Sequence, residues 1–228
     1  MKKLSLLLVV VLLCGAANAL PLVLSDDFEG PAVGQPLDPS KWLSIGSAAT
    51  IGGDASNQYA VLDSNAVASN TGSIAMASVD YDFDTLTVSD GSKRVVTVGL
   101  SAAAHSSPIF SMIVQNYGAV PGDVLQYAWI AHGGGAIWLD NPPIAGDSWN
   151  HWEFSVTMDP GYATGKVSVT RDGNVLCTDA PFTSYAPIAP GSVVMYGTGL
   201  ADNVNIYAPE PATMVLLGLG GLLLRRRR

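Results

Sequence analysis

The chain has 228 residues, 48% of them hydrophobic and 13% charged, with a formal net charge of −8 and two cysteines. With Lys2, Lys3, the four terminal arginines and Glu210 set aside, five basic residues face 18 acidic ones. That balance of −13 excludes nucleic acid, other polyanions and acidic lipid as partners of the central part, because all of these are held by clusters of lysine and arginine.

The chain opens with Lys2-Lys3, an apolar stretch from Leu4 to Leu13, and the small residues Ala17-Asn18-Ala19. This is the pattern of a secretory signal peptide over 1–19, cut by signal peptidase so that the mature chain begins near Leu20. A lipoprotein signal at Cys14 is disfavoured, since Leu13 stands where a small residue is required. After the leader Cys177 is the only cysteine, so no disulfide forms within the chain, and its expected role is that of a small buried apolar residue. A domain over 20–208, of about 190 residues, is large enough to build a core without one.

Within 20–208 the hydrophobic period is two. Val79, Tyr81 and Phe83 alternate with Asp80, Asp82 and Asp84; Leu86 and Val88 then fall on the other parity, which predicts a bulge or bend near Thr85. Trp152, Phe154, Val156 and Met158 alternate with Glu153, Ser155 and Thr157. Lys166–Arg171 and Asn174–Thr178 flank Asp172-Gly173, the dipeptide of a type I′ hairpin turn. Further β-type runs lie at 23–28, 59–63, 94–100, 110–117, 124–131, 136–139, 193–196 and 204–207, separated by Gly, Pro, Asn, Asp and Ser clusters. No stretch of this part carries a helical period. Many short strands without alternating helices predict one all-β antiparallel domain, a sandwich or a barrel.

The last twenty residues, 209–228, have three parts: Pro209-Glu210-Pro211-Ala212-Thr213, an apolar run from Met214 to Leu224, and Arg225-Arg226-Arg227-Arg228. Counted from Ala212 the apolar segment gives a helix of about 20 Å, short of the ~30 Å bilayer core. A transmembrane segment of about 211–224 is therefore marginal, with the arginines holding its end on the cytoplasmic side and Pro-Glu-Pro forming an extended stalk. This tripartite tail resembles the PEP-CTERM sorting signal. The resemblance implies an exported protein, transiently anchored in the inner membrane. An exosortase-type transpeptidase then releases it to the cell surface or an extracellular matrix. A plain, unprocessed tail anchor is the alternative.

Three segments carry a second resemblance. Asp26-Asp27-Phe28-Glu29-Gly30 with Leu37-Asp38-Pro39-Ser40-Lys41-Trp42, the stretch from Trp149 to Val175, and Asp202-Asn203-Val204-Asn205-Ile206-Tyr207 resemble the opening strand, late hairpin and closing strand of concanavalin A-like lectin and glucanase domains, laminin-G-like modules included. The resemblance implies an antiparallel jelly-roll β-sandwich whose first and last strands are neighbours. It also implies a structural calcium ion where those strands meet, with Asp27 and Asp202 as its carboxylate ligands. No other cofactor is expected.

Laminarinase-type hydrolases of that fold carry two or three acids on one strand, Glu-x-Asp-x-Glu. Glu153 here lacks the acid two residues on, and Asp80, Asp82 and Asp84, about 7 Å apart in succession, read as a solvated strand face. His105, His132 and His151 lie in separate segments without metal-type spacing, and no Gly-x-Ser-x-Gly elbow is present. No catalytic residues are assigned, and the domain is expected not to be an enzyme. His132-Gly133-Gly134-Gly135 reads as a tight turn, since no lysine follows it for a phosphate.

Tyr127, Trp129, Trp138 and Trp149 are the aromatic residues that a sugar-binding face would use, an indole stacking on the apolar face of a pyranose. The expected function is thus a non-catalytic, carbohydrate-binding surface module with polysaccharide as its ligand. The alternatives are a structural matrix protein without a ligand and, more distantly, a glycoside hydrolase with atypical acids.

Overall fold

The structure, a computed structural model, describes residues 22–45, 49–54, 56–62, 66–69, 78–86, 95–102, 107–116, 125–139, 144–145 and 148–208. The signal peptide over 1–19, the sorting motif Pro209–Thr213, the apolar segment and the terminal arginines all lie outside them. Among the described residues the strands are, in chain order, β1 (Leu22–Asp26), β2 (Trp42–Ile45), β3 (Thr50–Asp54), β4 (Asn57–Val61), β5 (Ala66–Ser69), β6 (Ser78–Leu86), β7 (Val95–Ser101) and β8 (Pro108–Asn116). They continue with β9 (Leu125–His132), β10 (Gly135–Trp138), β11 (Ile144–Ala145), β12 (Asn150–Met158), β13 (Thr164–Arg171), β14 (Asn174–Thr183), β15 (Ser192–Gly197) and β16 (Leu200–Tyr207).

Two antiparallel sheets form a jelly-roll sandwich. One has the order β14-β13-β12-β6-β16-β4-β3 with β1 also on β16; the other has the order β10-β9-β8-β7-β15-β5-β2 with β11 also on β9. Period-two alternation is what allows this, because it gives each strand one apolar face. From the first sheet Val79, Tyr81, Phe83, Trp152, Phe154 and Val156 point inward, and Val96, Val98, Phe110, Met112, Val114 and Ile130 meet them from the second. Tyr81 and Phe154 stack with ring centroids 4.9 Å apart, and Phe83 lies 5.7 Å from Phe154. The first and last strands are neighbours, with Leu24 opposite Ile206 and Asp26 opposite Val204.

The Asp172-Gly173 turn has φ of +48° and +74°, the left-handed pair that type I′ demands. Among the described residues, which in β6 end at Leu86, the bulge or bend predicted near Thr85 is absent. β6 keeps its alternation to Leu86, and Thr85 sits on the core face, where its hydroxyl accepts Trp152 Nε1–H at 3.0 Å. A polar residue thus occupies an inward position because an indole donor satisfies it, which hydropathy alone cannot register. The irregularity lies instead in the neighbouring strand, between Asp202 and Asn205 of β16, with Asn203 at φ +49°. It divides β16 into a part that pairs with β4 and a part that pairs with β1.

Candidate ligand-binding face

Alternation along β9 sends Ala128 and Ile130 into the core and leaves Tyr127, Trp129 and Ala131 on the opposite face of the second sheet. In β10 Ile137 packs against the core, and Trp138 faces outward with 64% of its surface exposed. Trp138 is the cross-strand partner of Trp129, and their rings lie 5.4 Å apart at 38°. The next strand inward, β8, sets Ile113 opposite Trp129 and Gln115 opposite Tyr127. Gln115 is only 6% exposed, and its Nε2 has no hydrogen-bond partner. A buried amide donor left open beside aromatic rings is the one feature of this face that sequence reasoning did not find. Its only signal was its place two residues beyond Ile113 in an alternating strand.

Three of the four sequence-predicted aromatics therefore share one face. Trp149 does not join them. It precedes β12 in the other sheet and packs on Tyr59 of β4, with centroids 5.7 Å apart.

The outer face of the first sheet is polar and acidic. Asp82 of β6 is opposite Glu153 of β12 and accepts Asn205 Nδ2–H at 2.8 Å. Burial pushes the Asp82 carboxyl above its ordinary range; the Asn205 bond and His151 oppose this, and Glu153 and Asp84 add to it. These acids are thus not simply solvated, as the sequence suggested: Asp80, Asp82 and Asp84 are each only partly exposed. Asp84 pairs with His151 Nδ1 at 2.7 Å and accepts Asn203 Nδ2–H at 2.8 Å. His105 lies outside the described residues.

At the β16 irregularity Asp202 is 6% exposed. Its carboxyl is pushed up to about 6, chiefly by burial and further by Asp84, Glu29 and Asp27, against a hydrogen bond from Asn203 N. Asp27 and Asp202 thus stand close enough to sense one another, but no group of three His, Cys, Asp or Glu side chains able to hold a metal is found among the described residues. The donors fit a hard oxygen-seeking cation such as calcium only if backbone carbonyls and water complete its six to eight ligands.

The comparisons agree with this picture at both levels. The PEP-CTERM protein-sorting motif matches residues 208–228. Among curated proteins, none matches the sequence. A sialidase is similar in fold, at 13% identity and a TM-score of 0.56 over 84% of this chain, which spans 19% of that protein. Domain 4 of AbnA, an extracellular arabinanase of Geobacillus stearothermophilus solved with arabinotriose, is similar at 14% identity and a TM-score of 0.51, over 86% of this chain and 97% of that one. These likenesses are of fold alone. In fold the chain is an antiparallel jelly-roll β-sandwich, and residues 208–228 carry a PEP-CTERM protein-sorting motif, the mark of export and sorting to the surface.

Proposed function

We propose that the sandwich is a non-catalytic carbohydrate-binding module of a surface-sorted protein, with Trp129 and Trp138 as its stacking platform and Tyr127 and Gln115 at its inner side. The observation that carries this reading is Trp138, 64% exposed on a short edge hairpin yet held in ring contact with Trp129. A large indole kept in water on a rigid support is suited to a ligand with an apolar face, and a pyranose has one. Similarity in fold to a domain solved with arabinotriose supports the same class. Catalysis is left out because Glu153 lacks its second same-strand acid and Asp82 opposite it is tied by Asn205. The same proposal includes cleavage by an exosortase-type transpeptidase after transient inner-membrane anchoring, release to the surface or matrix, and a calcium ion at Asp27 and Asp202.

The test is retention of the protein on a panel of insoluble neutral polysaccharides, with arabinotriose as the first soluble probe in calorimetry. Trp138→Ala should weaken retention at least about tenfold with little change in thermal midpoint, as loss of a stacking ring typically costs 1–3 kcal/mol of binding. Absence of retention across the panel would end the carbohydrate reading and leave a structural matrix protein.

A further inference from the structure

The hairpin that carries Trp129 and Trp138 is fastened to the far sheet at its turn. Gly133 N donates to Thr183 O of β14 at 2.8 Å. His132 Nδ1 accepts two further backbone donors, Gly134 N at 3.1 Å and Thr183 N at 3.3 Å. The turn approaches β14 so closely that a Cβ on Gly133 would lie 2.6 Å from Ser184 O, and one on Gly134 would lie 3.2 Å from Thr183 Oγ1. Gly133 serves that docking, since real Cβ atoms do not come within 3.0 Å of a backbone oxygen, and Gly134 eases it.

We propose that His132 is a pH-sensitive latch, a positioning residue that holds the Trp129–Trp138 hairpin against β14 only while its imidazole is neutral. Both donors converge on Nδ1, so the ring proton resides on Nε2. Protonation would place an N–H on Nδ1 as well, turning the shared acceptor into a third donor. The release therefore follows protonation of the ring, and histidine is the side-chain type suited to such a switch. Of the elements around the imidazole, β8 and β10 carry no titratable group; β9 contributes Tyr127, β14 contributes Cys177 and Asp179, and Tyr185 follows β14. Among the described residues no carboxylate pairs with His132, so nothing there holds the protonated form in place. The consequence for ligand binding rests on the carbohydrate reading; the latch itself does not.

The test is hydrogen exchange followed by mass spectrometry on the full-length chain in detergent micelles at pH 7.5 and 5.0, corrected for intrinsic exchange rates. Peptides containing Gly134 and Thr183 should lose protection about tenfold at the lower pH, the scale set by local opening when hydrogen bonds are lost. His132→Asn puts an oxygen near the place of Nδ1 and does not titrate, so its protection should be the same at both pH values. Equal protection of wild type at the two pH values overturns the proposal, and so does a drop in His132→Asn as large as in wild type. Polysaccharide retention at the same two pH values gives the second readout. Retention that falls in wild type and holds in His132→Asn links latch to ligand. No retention at either pH, with the exchange result intact, sinks the carbohydrate reading alone.

Discussion

Trp42 Nε1 donates to the carboxylate of Asp26 at 2.6 Å, joining β2 of one sheet to β1 of the other. The same carboxylate takes Lys41 Nζ at 2.9 Å and Phe28 N at 3.2 Å, and it is nearly buried. Asp26 therefore serves three donors from both layers, and the indole of Trp42 also stacks near Phe28, with centroids 6.0 Å apart.

Removing this carboxylate should be among the most damaging single changes. Asp26→Ala leaves the buried Trp42 donor unsatisfied, while Lys41, 37% exposed, can turn to water, which predicts a loss of about 2 kcal/mol in urea unfolding, chiefly from the orphaned indole N–H. Asp26→Asn, which retains one acceptor oxygen, should lose clearly less. Equal losses would show that packing around the site, and not the acceptor, matters.

Tyr81 presents the reverse case. Its ring belongs to the aromatic core and its hydroxyl is buried with no partner. A buried hydroxyl without a hydrogen bond costs about 1–3 kcal/mol, so Tyr81→Phe should raise the unfolding free energy by about 1 kcal/mol. A loss of that size in chemical denaturation would mean that the hydroxyl has a partner in solution.

Asp202 sets a pH dependence whose sign is the opposite of the common carboxylate. Its folded value of about 6 lies above the ordinary 3.8, so the folded state takes up the proton first. The stability this gives is fully present below about pH 4 and is lost as pH rises through 6. Allowing for solvent screening, the effect is on the order of 1–2 kcal/mol. Thermal midpoints should show wild type gaining from pH 7 to pH 5 relative to Asp202→Asn, which should itself be more stable than wild type at pH 7 in chelator.

Calcium should relieve the same repulsion. At pH 7.5 millimolar calcium is expected to raise the wild-type midpoint, because a ligand bound only by the native state stabilises it. The double change Asp27→Asn, Asp202→Asn should abolish the shift. A wild-type midpoint indifferent to calcium would leave the acids as a repulsive cluster and nothing more.

The tail predicts an event in the cell. A tag placed after Arg228 should be missing from the surface form, and replacing Arg225 to Arg228 with neutral residues should weaken membrane retention before processing. Recovery of surface protein that still bears the tag would refute cleavage.

Linear order was enough for the sorting motif and for the all-β antiparallel class. The sorting motif at 208–228 is local in sequence, and its recognition needs no fold. Strand alternation is likewise local, which is why β6, β12 and the Asp172-Gly173 hairpin could be read in advance. The opening Asp26 and Trp42 were legible as a motif, though not as the hydrogen bond that explains it. What the tertiary structure alone decided was which alternating residues share a face and how deeply each is covered. It put Trp129 and Trp138 side by side by the register of β9 and β10, sent Trp149 to Tyr59, buried Gln115 without a partner, and turned Thr85 inward to meet Trp152. His132 and Thr183 are 51 positions apart, so the latch exists only once both sheets have closed. Pairing register and burial depend on long-range contacts, and a period of two says only that a strand has two faces.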